Sequence, residues 1–316
     1  LSEMNSRKKL IDWLKKRKVG ILSGGGSSER DVSLKSGIAV QNALRHLGIL
    51  PVMIDPAGSS EKWLHKIASC DYVFIALHGT GGEDGCIQGL LELLDIPYSG
   101  SGVLASAIAM DKIVSKQLFK ANNVPTPDWC VLTNSKQTIK RNFTFPVVVK
   151  PRNQGSAIGT SIVKRATQLS SAVNKALRYS SEVLVEKYIY GKELTVAVLG
   201  EAALPVVEVV PKGEFYNYRS KYETGMSRHI IPARIPPVVQ RQAKKIALKV
   251  HQVLGLRAVS RVDFRCDRDN RLFVLEANSI PGLTKVSLLP DAARAGGIDF
   301  DSLILRIIEG PPEESL

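Results

Sequence analysis

Two segments near the carboxyl-terminal end, "SRVDFRC" (260–266) and "RLFVLEAN" (271–278), carry acids at a spacing that could hold a cation. With a two-residue turn at Asp269 and Asn270, both tolerant of positive φ, Asp263 stands opposite Glu276 and Arg261 opposite Asn278. Strand alternation then puts these four side chains on one face and Val262, Phe264, Leu275 and Ala277 on the other. Carboxylates directly opposed across a strand pair have Cβ atoms about 5 Å apart and repel unless a cation lies between them. Asp263, Glu276 and the Asn278 carbonyl form an all-oxygen set, suited to Mg²⁺ held by a few carboxylates plus substrate phosphates. The competing reading is a surface hairpin whose charged face meets water.

A second segment is suited to phosphate. In "VVVKPRNQGSAIGTSIV" (147–163) a strand ends at Lys150 and runs into a loop with Gly155, Ser156 and Gly159. Glycines let backbone N–H groups approach phosphate oxygens, and a lysine adds a fixed charge. Alone, such a loop is usually just a turn; beside a cation site it points to a nucleoside triphosphate. No GxxxxGK[ST] and no kinase catalytic-loop motif is present. A third glycine-rich stretch, "ILSGGGSSERDVSL" (21–34), has Gly24 and Gly26 at the first two positions of a GxGxxG fingerprint, but Glu29 stands at the third. A carboxylate there repels a pyrophosphate and suits an ammonium, with Ser28 and Asp31 supplying a capping-box-like helix start.

The elements behind these residues read as follows. From Val19 to about residue 110, short β-like runs ("KVGILS", "PVMID", "YVFIAL") alternate with helical stretches, the pattern of a parallel sheet wrapped by helices. The helix "MDKIVSKQLFKANN" and the break "VPTP" lead to a compact β-β-α-β unit ending near Gly191. The rest has strands "LTVAVLG" and "LPVVEVV", a long polar loop over 212–230, a helix near 238–253 and the acid-bearing hairpin. The expected units are an amino-terminal extension 1–18, an α/β domain 19–110, a central α+β subdomain 111–193 and a carboxy-terminal α+β subdomain 194–316.

Composition removes other classes. The 316 residues are 44% hydrophobic, with no apolar run near the roughly 20 residues that span a bilayer, which predicts a cytoplasmic chain without a membrane partner. Cys70, Cys86, Cys130 and Cys266 are scattered singly, as reduced structural cysteines are. The net charge of +13 would suit nucleic acid, but the one dense run, Lys15-Lys16-Arg17-Lys18, ends an amphipathic helix. Aromatics at 6% are too few for a base-stacking face. A nicotinamide oxidoreductase would explain the first unit but not the hairpin.

Taken together, the motifs resemble the ATP-grasp ligases, specifically the D-alanine:D-alanine ligase family. "GGGSSERDVSL", "HGTGGEDG" (78–85), "IPYSGSGVLASAIAMDK" (96–112), "VLVEKYIYGKELTV" (183–196) and "SRVDF…LEANSIPGLTKVS" match in order from about Val19 to at least Pro290. The resemblance implies a three-domain fold, ATP as co-substrate, two Mg²⁺ ions with Mn²⁺ able to substitute, and a homodimer. It assigns Lys112 and Lys150 to the ATP phosphates, with the Ser156 loop closing over them. Glu186 and the Lys187-Tyr188 backbone line the adenine pocket, and Glu193 takes the ribose. Asp263, Glu276 and Asn278 hold the metals. Glu29 binds the first D-alanine's ammonium, His78 lies near its carboxylate, Arg261 and the Gly282 N–H form the oxyanion site, and Ser287 holds the second carboxylate. Tyr222, in "YRSKYETG" beside Lys221, hydrogen-bonds Ser156 and through it Glu29 on a closing loop, and fits an amino-acid rather than a hydroxy-acid second substrate. The alternative within the class is D-alanyl-D-lactate formation. Glu83 and Asp84 are assigned to helix capping, and Lys285 departs from the small, polar or His residue expected there.

Overall fold

The computed structural model describes residues 2–139, 143–212 and 226–309. Helix α1 (Ser2–Lys15) leads into β1 (Val19–Leu22), α2 (Arg30–His46), β2 (Val52–Ile54), α3 (Ser60–Ala68), β3 (Tyr72–Ile75), α4 (Cys86–Leu93), α5 (Val103–Met110) and α6 (Lys112–Ala121). Strands β1 to β3 form a parallel sheet in the order β2-β1-β3, wholly buried along β1 and β3, as helices on both faces require.

The second sheet joins β4 (Trp129–Leu132), β5 (Val147–Pro151), β6 (Ser161–Val163) and β7 (Val183–Lys187) in the antiparallel order β4-β7-β5-β6. It is backed by α7 (Leu169–Ala176). β4 is the strand that the sequence pattern missed, because its "WCVL" has no polar alternation. The third sheet contains β8 (Lys192–Leu199), β9 (Ala202–Ala203), β10 (Val207–Pro211), β11 (Ser227–Ile230), β12 (Val259–Cys266) and β13 (Leu272–Asn278). Its path runs β11-β10-β8-β12-β13, with β9 on β8. Helices α8 (Pro237–Val253), α9 (Leu288–Ala295) and α10 (Phe300–Glu309) complete the chain.

Alternation along β8 and β12 decides what covers each face of the third sheet. Leu194, Val196, Val198, Val262 and Phe264 pack against α8 and against Ala105, Ala109 and Phe119 of α5 and α6. Helix α6 therefore shares the third sheet's core, while its Lys112 points back to the second unit. The opposite face buries Ala197, Val207 and Val259 in a cluster that also takes α1, β1, β3, α9 and α10. The polar loop expected over 212–230 is shorter than its composition implied, because Ser227–Ile230 pairs antiparallel with β10 as an edge strand. The four cysteines form no disulfide among the described residues; Cys70 and Cys266 are buried, but Cys86 is exposed at the start of α4 and plays no part in the core.

Within this core His251 of α8 is buried, its Nδ1 2.7 Å from Ser260 Oγ, and burial pushes its pKa down to about 4 from 6.5. The unfolded chain therefore binds this proton more readily, and stability falls as the pH drops from 6.5 towards 4. At ~1.4 kcal/mol per unit this amounts to at most about 3 kcal/mol. Urea unfolding of His251→Gln at several pH values is expected to flatten this part of the acid limb. An unchanged slope would assign the loss to other groups.

Candidate active site

The triple-glycine loop has its amides occupied from within the fold. Gly24 N donates to Ser33 Oγ at 2.8 Å and Gly25 N to Asp55 Oδ1 at 2.9 Å. Arg30 clamps Asp55 through two further bonds and also donates to Gly25 O. Gly24 and Gly25 lie at positive φ, and a Cβ on Gly24 would stand 2.5 Å from Asp55 Oδ1, so the turn requires glycine. The expected capping box does not form. Glu29 itself is the N-cap of α2, and Ser27, not Ser28, holds the turn by accepting from Glu29 N and donating to His78 O.

Glu29 is buried and receives a hydrogen bond from Ser156 Oγ, which joins the first unit to the glycine-rich loop of the second. Gly155 allows that approach, since a Cβ there would meet Glu29 Oε2 at 2.4 Å. His78 is buried, with Nε2 3.0 Å from Ser36 Oγ, and burial lowers its pKa against the opposing pull of Glu29. Ser36 Oγ also accepts from Leu283 N, tying α2 to the loop that carries Gly282. Asp84 is a local cap, accepting from Gly81 N and Cys86 N. Glu83 is not. It is buried and accepts from Gly79 N, and burial together with Glu29 pushes it up to about 8, so it keeps its proton at neutral pH. No sequence pattern separates it from its neighbour, because the difference lies in what covers each carboxyl.

A cleft between the second and third sheets is lined by Lys112, Lys150, Glu186, Lys187, Tyr188 and Glu193, among others. Lys112 Nζ donates to Gln154 O at 2.7 Å and lies 3.5 Å from Glu276. Glu186 is wholly buried and takes two ammonium groups, Lys150 at 2.5 Å and Lys116. Burial disfavours its charge, but the two lysines outweigh that and hold its pKa low. Glu193 pairs with Arg265, whose guanidinium lies 5.6 Å from the Tyr188 ring centroid. Lys116 is the residue that sequence reasoning passed over, although its i,i+4 spacing from Lys112 puts both on one helix face.

On the third sheet Asp263 pairs with Glu276, and Arg261 with Asn278, as the spacing predicts. The route differs. The turn has three residues, with Asp267 N bonded to Arg271 O and Asn270 at φ 62°, and a bulge at Leu275 restores the register. Leu275 therefore joins Glu276 in lining the cleft, and Val274 replaces it in the core. Asp263 is held by Arg261 at 2.8 and 2.9 Å and by Thr195 Oγ1 at 2.5 Å.

Among the described residues no three His, Cys, Asp or Glu side chains converge on one point. Two carboxylates and an amide beside a polyanion cleft still fit Mg²⁺, which takes hard oxygen donors and completes its shell with phosphates and water. Gly282 and Ser287 lie on the following loop, where a Cβ on Gly282 would stand 2.8 Å from Ser287 Oγ. Ser287 is buried at the start of α9 and bonded to Thr284; Lys285 is exposed. Tyr222 and Lys221 lie outside the described residues.

Two family models match the chain, described as D-ala D-ala ligase C-terminus over residues 118–309 and D-ala D-ala ligase N-terminus over 57–101. A D-alanine–D-alanine ligase of Geotalea uraniireducens (strain Rf4) is 45% identical over 300 residues, covering 94% of this chain and 96% of the relative. That of Pelotomaculum thermopropionicum is 47% identical over 306 residues, covering 92% and 96%. A crystal structure of the Bacillus anthracis D-alanine–D-alanine ligase complexed with ATP superposes with a TM-score of 0.81 at 33% identity, over 93% of this chain and 96% of that one.

Because Asp55 holds both Arg30 and the Gly25 amide, Asp55→Ala is expected to lower the thermal midpoint modestly and to speed amide exchange at Gly24–Ser27. Unchanged exchange at these amides would mean that Ser33 and Ser27 hold the loop without it.

Proposed function

This chain belongs to the D-alanine–D-alanine ligase family and joins two D-alanine molecules in an ATP-dependent reaction, and we propose that the residues described above divide that reaction as follows. Lys112 and Lys150, with the Ser156 loop, bind the triphosphate; Glu186 and the Lys187-Tyr188 backbone line the adenine site, and Glu193 takes the ribose hydroxyls. Glu29 grips the ammonium of the first D-alanine, with His78 close to the carboxylate. An oxygen of that carboxylate attacks the γ-phosphorus, the bond to the ADP oxygen breaks, and D-alanyl phosphate forms. The neutral amine of the second D-alanine, its carboxylate held by Ser287, then attacks the acyl carbon. Arg261 and the Gly282 N–H hold the oxyanion until inorganic phosphate leaves. Tyr222 and Lys221, which lie outside the described residues, are assigned by the resemblance alone, Tyr222 to a hydrogen bond towards Ser156 and Lys221 to substrate binding.

Asp263, Glu276 and Asn278 hold two Mg²⁺ ions, with Mn²⁺ able to substitute, which supply Lewis-acid neutralisation of the phosphates. The first D-alanine belongs to the domain 19–110, ATP to the central subdomain 111–193, and metal and second D-alanine to 194–316. The enzyme works as a cytoplasmic homodimer in peptidoglycan precursor synthesis, without a nucleic-acid or membrane partner. No helix among the described residues is long and apolar enough to cross a membrane.

The observation that carries this reading is the Ser156–Glu29 contact. It brings the carboxylate assigned to the amino acid against the loop assigned to the phosphates. Asp263, with its two bonds from Arg261, supports the oxyanion role by fixing the guanidinium on the same face as Glu276. The family relatives do not favour D-alanyl-D-lactate formation.

Phosphate release from Mg-ATP with D-alanine alone tests the reading, and D-alanyl-D-alanine is the expected product. No release, or depsipeptide dominating near neutral pH once D-lactate is added, would overturn it. Arg261→Ala is expected to lower kcat by about 10² to 10³, the scale of one lost oxyanion donor.

A further inference from the structure

Glu186 is neutralised twice, which is more than one carboxylate needs. Lys150 reaches one oxygen from β5 and Lys116 the other from α6. The two lysines differ in what else they meet. Lys150 lines the cleft beside Lys112, whereas Lys116 is completely buried beneath it. Lys116 Nζ also donates to Thr126 Oγ1 at 2.6 Å, and Thr126 in turn donates to Val274 O at 2.8 Å, anchoring the ammonium to the edge of β13. Glu186 Oε1 makes no hydrogen bond of good angle and depends on the ionic contact with Lys116.

We propose that Lys116 is a positioning residue of the nucleotide site, a fixed counter-ion that keeps Glu186 charged and in place so that Lys150 can pass from Glu186 to the nucleotide's phosphates. This rests on the assignment of the cleft to ATP. A buried carboxylate stripped of its partner is strongly destabilised. If Lys150 were the only counter-ion, each phosphate contact it made would abandon Glu186, and phosphate binding would compete with that ion pair. Burial lowers the pKa of Lys116, and the Glu186 carboxylate in contact with it opposes that; with Lys116 protonated the trio carries one surplus positive charge, and Lys150 is the member able to deliver it to the cleft. Lys116 cannot take over that task, since its ammonium is shut off from the cleft by Glu186 itself.

The test compares wild type, Lys116→Met, Lys116→Arg, Glu186→Gln and the double variant Lys116→Met/Glu186→Gln, reading KM for ATP, KM for D-alanine, kcat and thermal unfolding. Lys116→Met is expected to raise KM for ATP about tenfold or more, one decade being 1.4 kcal/mol, with KM for D-alanine unmoved and partial rescue by Lys116→Arg. In the Glu186→Gln background, whatever that change itself does to ATP binding, adding Lys116→Met should raise KM for ATP far less than it does in wild type, because no charge is left to detain Lys150. A folded Lys116→Met with unchanged KM for ATP, or an equal rise in KM on adding Lys116→Met to wild type and to Glu186→Gln, would overturn the role. Should Lys116→Met fail to fold, Thr126→Val carries the test: a rise in KM for ATP alone supports the anchor, and no change overturns it. A wild-type chain that releases phosphate from ATP only when D-alanine is present upholds the cleft assignment independently of Lys116; one that releases none overturns both.

Discussion

An acid buried in a cleft must be neutralised where it stands, and that constraint organises this molecule. Burying an ionised carboxylate without a partner costs several kcal/mol, far more than any single surface contact returns. Glu83, Glu186 and Glu276 line the cleft and its inner end, Asp263 stands opposite Glu276, and each of the four is answered differently. Glu186 is met by two lysines, Asp263 by Arg261 and Thr195, Glu276 by Lys112, and Glu83 by retaining its own proton. The resulting lattice of alternating charge is also the right environment for moving a phosphoryl group, since charge that shifts between oxygens finds fixed opposite charge beside it.

The same constraint explains why three units are needed. The acids come from all three units, Glu29 and Glu83 from the first, Glu186 from β7 of the second sheet and Asp263 and Glu276 from the third. Lys112 and Lys116 on α6 answer Glu276 and Glu186 across the boundaries between them. Large apolar clusters join the units away from the site, and at the site itself small hydroxyl bridges set the final register. Ser36 joins His78 to the loop of Gly282, Ser156 joins Glu29 to the second unit, and Thr126 joins Lys116 to the strand that leads into the acids. Gly155 and Gly79 are required where two loops converge on one carboxylate, because a Cβ at either would stand within 3 Å of Glu29 Oε2.

How much of this was legible depends on whether the signal is local. The facing of Asp263 and Glu276 follows from alternation and was readable, even though the turn was assigned one residue short. A three-residue turn and the bulge at Leu275 cancel, so the acids keep their partners while Leu275 and Val274 exchange faces. Bulges carry no marker in a run such as "LFVLEAN", where either leucine or valine could be buried. The polar segment after β10 read as loop throughout because "SRHI" is an edge strand with no fully buried residue, which lacks the apolar period that identifies inner strands. Glu83 and Lys116 were illegible for a different reason. Their roles are set by burial and by partners far away in sequence, and adjacent or i+4 residues of the same type do not share them.

The triple glycine makes the distinction sharpest. Glycines after a strand offer free amides, and free amides attract phosphate only if nothing else binds them. Here Ser33 and Asp55 take the Gly24 and Gly25 amides, and Arg30 locks Asp55 in turn. The loop is therefore spent as a rigid support, and the group it presents to the cleft is the carboxylate of Glu29. The glycine-rich loop of the second unit differs in its flank: Lys112 and Lys150 stand beside it in the cleft, where a polyanion would lie. What separates an amino-acid loop from a phosphate loop is thus the charge that each holds at its edge, and the glycines alone do not decide it.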